Sequence, residues 1–141
     1  MHGIRCPPCK TFTPVLTKFY TKYCVPNNAE IVYISSNEDM PSFNTYYGKM
    51  PWAALPNTAE STPIKQLLSD SLKITGIPSL VVMEVKTGHF VTDDARFAVS
   101  EAAGDESQES DLIPSWKKLE AVPIEEAVLS GAGAGGGGFL S

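Results

Sequence analysis

The sequence predicts an α/β domain with helices layered on a mixed sheet, and three observations predict it. A Cys-x-x-Cys pair, "CPPC" at residues 6–9, heads an amphipathic helical pattern. Two β-branched, apolar runs, "EIVYIS" and "PSLVVMEV", read as buried strands separated by helical segments. A third run, "HFVT", follows the second across Lys86-Thr87-Gly88, which reads as a hairpin turn. The order is therefore Cys-x-x-Cys helix, strand, helices, strand, hairpin, strand, which makes most of an α/β sandwich.

From Pro7 to about Tyr23 the residues Phe12, Leu16, Phe19, Tyr20 and Tyr23 fall on one helical stripe. Cys6 takes the N-cap position and Pro7 the first helical one, where a missing N–H costs nothing. Pro14 lies inside this helix and is expected to kink it, because its ring meets the carbonyl of Lys10. Asn27-Asn28 makes a turn after Pro26, and Glu30 to Ser35 is the first strand. "MPSFNTYYGK" reads as a short helix ending near Gly48. Thr62 and Pro63 open another helix, with Ile64, Leu67, Leu68 and Leu72 as its apolar residues. From Ser100 to Asp111 the chain is acidic and poor in apolar residues, so a loose loop is expected. "GAGAGGGG", Gly131 to Gly138, is a flexible tail.

The 141 residues fit one domain, and 43% hydrophobic content suits a globular chain. No apolar run approaches the ~20 residues that cross a bilayer, and the start shows no secretory signal. A cytoplasmic or nuclear protein is expected. Residues 1–100 carry 9 Lys/Arg against 8 Asp/Glu, whereas residues 101–141 carry 2 against 8. A near-neutral body with an acidic tail points to neither nucleic acid nor a membrane as partner.

Three cysteines do not make a disulfide scaffold, and a close pair in an unsecreted chain reads as redox-active or metal-binding. A thiol attacks a disulfide only as its thiolate. A sulfur at a helix N-cap meets the positive end of the helix dipole and the unpaired N–H groups of the first turn. Pro7 and Pro8 both lack an N–H, so the first amide free to reach the Cys6 sulfur is that of Cys9. Cys6 is expected to have a depressed pKa, and Cys9, one turn inward, to resolve the mixed disulfide. Two other readings of the pair stand beside this one, a structural zinc site and a pair of inert packing cysteines. Zinc commonly needs four ligands, and Cys24, His2 and His89 stand at no recognisable spacing from the pair. Neither metal nor bound cofactor is therefore expected. Cys24 is expected to be a partly buried residue at the helix end, and Trp52 a packing residue. The Ile77-Pro78 bond in "GIPSL", just before a buried strand, is a plausible cis-proline.

Taken together, these stretches resemble the tryparedoxin/nucleoredoxin-type members of the thioredoxin superfamily. "CPPCKTFTPVLTKFY" is similar to their active-site helix, and "YISSNEDMPSFNTYYGKMPWAALP" to their strand, acidic turn and Lys-Met-Pro-Trp segment. "ITGIPSLVVMEVKTGHFVTDDAR" resembles their cis-proline loop and hairpin, and "IPSW" their Phe-Pro-Trp. The resemblance covers about residues 4–116, taken as the domain, with 117–141 as a C-terminal extension.

It implies a thiol–disulfide oxidoreductase in cell redox homeostasis. Cys6 is the implied nucleophile, Cys9 the resolving thiol, and Ile77 and Pro78 the residues that dock the substrate backbone. Pro7, Pro8 and Arg96 are further candidate substrate contacts, with a solvated surface arginine as the rival reading of Arg96, and Arg5 is a candidate contact for acidic partners through its charge. Partners would be disulfide-containing proteins or small dithiols and an upstream thiol reductant. A non-catalytic interaction module that uses the same groove is the alternative.

Two departures stand out. Arg5 replaces the family's usual Trp, which loses an aromatic wall and adds a cation. The family also enters this helix from a buried central strand, where this sequence has only "MHGI". About five buried apolar side chains contribute roughly 10 kcal/mol, comparable with a domain's whole stability. An N-terminally incomplete domain is thus expected, or one that receives the strand from another chain.

Overall fold

The computed structural model describes residues 6–35 and 40–129, the last three by backbone alone. Helix α1, Pro7–Phe19, starts where the sequence places it, with Cys6 extended at the N-cap and prolines at the first two helical positions. The helical pattern runs on through Tyr20–Cys24 in a wider π-helical turn. Along α1 the side chains of Cys9, Phe12, Thr13, Leu16 and Phe19 are buried, at a spacing that gives one inward face.

Strand β1, Val32–Tyr33, is shorter than the run that predicts it, and Val32 is exposed while Ile31, Tyr33 and Ile34 are buried. Neighbouring strand residues face opposite sides, so with Tyr33, Ile34 and Ser35 all buried the run is sunk on both faces from Tyr33 on, and only Glu30 and Val32 reach solvent. Helix α2, Met40–Tyr47, ends before Gly48 as expected. Strand β2, Ala53–Ala54, pairs in parallel with β1, Val32 opposite Ala53 and Tyr33 opposite Ala54. Two alanines after a Pro-Trp step carry too little pattern for the sequence to reveal this strand.

After a 3-10 turn at Ala59–Ser61 comes helix α3, Thr62–Ser71. Ser61 occupies the cap position and Thr62 is the first helical residue. The expected apolar stripe is only partly used, because Leu72 is buried while Ile64 and Leu67 are exposed. Strand β3, Val82–Met83, and strand β4, Phe90–Thr92, form the antiparallel hairpin, with Gly88 at φ 72° in the turn. Only glycine adopts that conformation without a steric cost.

The largest correction concerns residues 100–111, which are helical instead of a loose loop. Helix α4, Ala95–Ala102, breaks at Gly104 (φ 87°), and helix α5, Glu106–Lys118, begins at once. The Asp105 carboxylate caps α5, accepting from the N–H groups of Ser107 and Gln108 at 3.1 and 3.2 Å. Glu106 and Glu109 lie in its first turn and Lys117 and Lys118 in its last, each matching the helix dipole. The acidic composition that reads as solvated loop is thus helix-start chemistry. Ile113 is the buried residue of α5, with Leu112 and Trp116 packed beside it. A short helix α6, Ile124–Leu129, follows, and Val122 bridges to Phe90 by two backbone hydrogen bonds.

Among the described residues the sheet consists of two separate pairs, parallel β1–β2 and antiparallel β3–β4. A cleft of about 540 Å³ lies between them, lined by Ile31 on one side and Leu80 and Val82 on the other. Leu16 and Phe19 of α1 and Trp116 of α5 also line it. Any strand entering α1 from ahead of Cys6 falls outside the described residues, as does the Gly-rich tail. No helix among the described residues is long and apolar enough to cross a membrane.

Candidate redox site

The site is built at the head of α1. Cys6 and Cys9 are joined in a disulfide with their Cα atoms 5.2 Å apart. The helix brings them together, since residues three apart lie almost above one another on its surface. Cys6 is partly exposed and Cys9 is fully buried. The Cys9 N–H reaches the Cys6 Sγ at 3.3 Å, the one first-turn amide that the sequence leaves available for it. Pro7 and Pro8 are exposed on the outer side of the motif.

Behind the pair, the helix is held by a buried hydroxyl chain. Thr13 Oγ1 donates to the Cys9 carbonyl at 2.9 Å and lies 2.9 Å from the Tyr46 hydroxyl. With the threonine proton committed to Cys9, Tyr46 is the donor to Thr13. Burial raises the Tyr46 pKa, which keeps that hydroxyl protonated.

The loop Gly76–Ser79 faces the sulfur. Its Ile77-Pro78 bond is cis, and the Ile77 carbonyl oxygen lies 3.9 Å from the Cys6 Sγ. Pro78 is fully buried, while Ile77 is 36% exposed, so the loop offers an apolar side chain and backbone groups beside the Cys6 sulfur. Ser79 Oγ donates to the Gly76 carbonyl, and Arg96 Nη1 donates to the Pro78 carbonyl at 3.3 Å. Arg96, in the first turn of α4, is partly buried and in contact with the loop.

The structure brings together Cys6, Cys9, Pro7, Pro8, Ile77, Pro78 and Arg96, while Arg5 lies outside the described residues. Ser79, Thr13 and Tyr46 escape the sequence reading. Ser79 follows the cis-proline directly, but a serine at a strand's edge is too common to stand out. Cys24 is 3% exposed, and burial together with the Glu30 carboxylate pushes its thiol up to about 12. Trp52 is buried, its ring edge-on to Tyr20 at 5.7 Å, as a packing residue would be. Among the described residues no group of three His, Cys, Asp or Glu side chains is placed to hold a metal ion.

Comparison with known proteins gives concordant matches. A thioredoxin-like family model covers residues 1–90. The tryparedoxin of Trypanosoma brucei brucei is 44% identical over 96 residues, 68% of this chain and 65% of the relative. A probable nucleoredoxin 1 of Arabidopsis thaliana is 36% identical over 135 residues, 86% of this chain and 23% of the relative. The chain therefore spans under two thirds of the trypanosomal relative's length and about a quarter of the plant protein's. Among solved structures, tryparedoxin I of Leishmania major superposes with a TM-score of 0.70 at 36% identity, covering 75% of this chain and 72% of that one. A tryparedoxin II complexed with glutathionylspermidine superposes with a TM-score of 0.65 at 36% identity, covering 74% and 73%. With the dithiol helix, the proline loop and these matches in agreement, the chain belongs to the thioredoxin-like family, among its tryparedoxin- and nucleoredoxin-like members.

Proposed function

We propose that this chain is a thiol–disulfide oxidoreductase that reduces disulfides of proteins or small dithiols through Cys6 and Cys9. The observation that carries the reading is a partly exposed cysteine at a helix N-cap, bonded to a buried partner one turn inward. In the reduced protein the Cys6 thiolate attacks a substrate disulfide. A Cys6–substrate disulfide forms and the substrate's other sulfur leaves as a thiolate that takes up a proton. Cys9 then loses its proton and attacks the Cys6 sulfur, which releases the second substrate thiol. The product is the Cys6–Cys9 disulfide, and two electrons from an external thiol reductant restore the dithiol. Ile77 and Pro78 would line the docking edge, with Pro7 and Pro8 on the outer flank and Arg5 adding positive charge ahead of the motif. The glutathionylspermidine complex of a related protein supports a small thiol among the partners. A reducing compartment, cytoplasm or nucleus, suits a dithiol that must be recharged by other thiols.

The test is insulin reduction with dithiothreitol as electron source, comparing the wild-type chain with Cys6→Ser. Loss of the catalysed rate to the uncatalysed background supports the proposal. Equal rates would leave the chain as a binding module that uses the same groove.

A further inference from the structure

We infer that Arg96 is a positioning residue, one that fixes the substrate-docking loop from behind. The inference rests on the oxidoreductase reading above and adds a role that acts through the loop backbone.

Three consecutive carbonyls carry the argument. The Gly76 carbonyl accepts from the Ser79 hydroxyl, and the Pro78 carbonyl accepts from Arg96 Nη1 at 3.3 Å. Between them, the Ile77 carbonyl oxygen lies 3.9 Å from the Cys6 Sγ. A peptide unit is planar, so fixing one carbonyl fixes the direction of the N–H on the same unit. Ser79 and Arg96 therefore hold the peptide units on either side of Ile77–Pro78, and the group between them has little freedom to turn from the sulfur. Ser79 acts from within the loop and Arg96 from a separate element. Arg96 is itself well placed for this. It sits in the first turn of α4, whose Ala95 and Val99 are buried, and its guanidinium carbon lies 5.3 Å from the centroid of the Phe97 ring. A guanidinium held within cation–π range of an aromatic ring and bonded to a carbonyl loses part of its rotational freedom. The cation is thereby aimed at the loop. A direct electrostatic contact with substrate would need the same group to turn outward.

The two roles differ in what they ask of the substrate. Electrostatic contact favours acidic partners and leaves basic ones untouched. Loop positioning affects every partner that docks its backbone, whatever its charge. It affects a disulfide too small to dock far less.

The experiment compares wild type with Arg96→Gln on three substrates. These are a peptide disulfide flanked by glutamates, the same peptide flanked by lysines, and bis(2-hydroxyethyl) disulfide. KM for both peptides is expected to rise about tenfold, with kcat changed much less, and the loss on the peptides should exceed that on the small disulfide by a similar factor. Ser79→Ala, which frees the loop from its other side, should shift KM in the same direction. Arg96→Lys keeps the charge but loses the planar fork, so a KM increase on both peptides should persist.

A loss confined to the acidic peptide, or its rescue by Arg96→Lys, would overturn the inference in favour of direct charge contact. Unchanged KM on all three substrates in a folded variant would overturn it as well. Absence of wild-type turnover on every substrate is a different pattern, and it would remove the oxidoreductase reading itself together with this inference.

Discussion

The Cys9 N–H points at the Cys6 sulfur across 3.3 Å, and this bond joins the first helical turn to the outer cysteine. It is the one bond to that sulfur from a first-turn amide, because the prolines at the first two helical positions have no N–H to add. An N-cap side chain is ordinarily served by the second or third helical amide. Here the second belongs to Pro8.

The reduced chain should therefore show a Cys6 pKa below the ~8.5 of a free thiol. Pro8→Ala should lower it further by restoring an amide in reach. Titration of thiolate ultraviolet absorbance, with Cys9 and Cys24 replaced by serine and alanine, measures both. A Pro8→Ala value equal to or above the parent's would show that the dipole alone controls the anion.

Stability should fall in alkali in a defined order. Burial pushes the Cys24 thiol and the Tyr33 hydroxyl each up to about 12. In both cases the folded chain holds a proton that the unfolded chain releases earlier. The folded state thus binds more protons above pH 9, and unfolding free energy declines as pH rises from there toward 12. Urea midpoints should be level in this respect through neutrality, then fall first from the thiol and next from the phenol. Cys24→Ala removes the earlier onset, whatever its effect on stability at neutral pH. An unchanged onset in that variant would assign the alkaline loss to other groups.

Asp105 should matter more than its exposed position suggests. It satisfies two amides at the start of α5, and truncating an N-cap costs about 1 kcal/mol. Asp105→Ala should lower the unfolding free energy by about that amount, read from urea denaturation, while Asp105→Asn, which keeps an acceptor, should recover most of it.

Tyr46→Phe should cost about 1 kcal/mol of stability by removing the hydroxyl from the buried chain that runs through Thr13 to the Cys9 carbonyl. Unfolding of the oxidised and reduced forms measures it. A much larger loss would mean that the hydroxyl holds more than this one link.

What the sequence revealed, and what it hid, follows from where the determining information sits. The start of α1 was legible because Cys6, Pro7 and Pro8 are local conformational signals. The β3–β4 turn was legible because Gly88 is needed at a positive φ. The proline loop was legible once "GIPSL" was placed before a strand. Strand ends were not, since β1 and β3 are each two residues long and their limits depend on which neighbours supply partners. The helices α4 and α5 hide in a polar segment whose helix signal is capping and dipole chemistry rather than apolar periodicity. Gly104, Asp105 and the two closing lysines were the readable clues. The link from Arg96 to Pro78 joins residues 18 apart through tertiary placement of α4, which no local pattern encodes.

The unequal burial of the two sulfurs bears on damage as well as turnover. Peroxide meets the outer atom first, where it would leave a sulfenic acid and release hydroxide. The inner thiol is already within one turn, so it can condense with that acid and expel water before a second oxygen is added. Oxidation that at an isolated cysteine could run on to an irreversible sulfinic acid would here end in the same disulfide, which a thiol reductant clears.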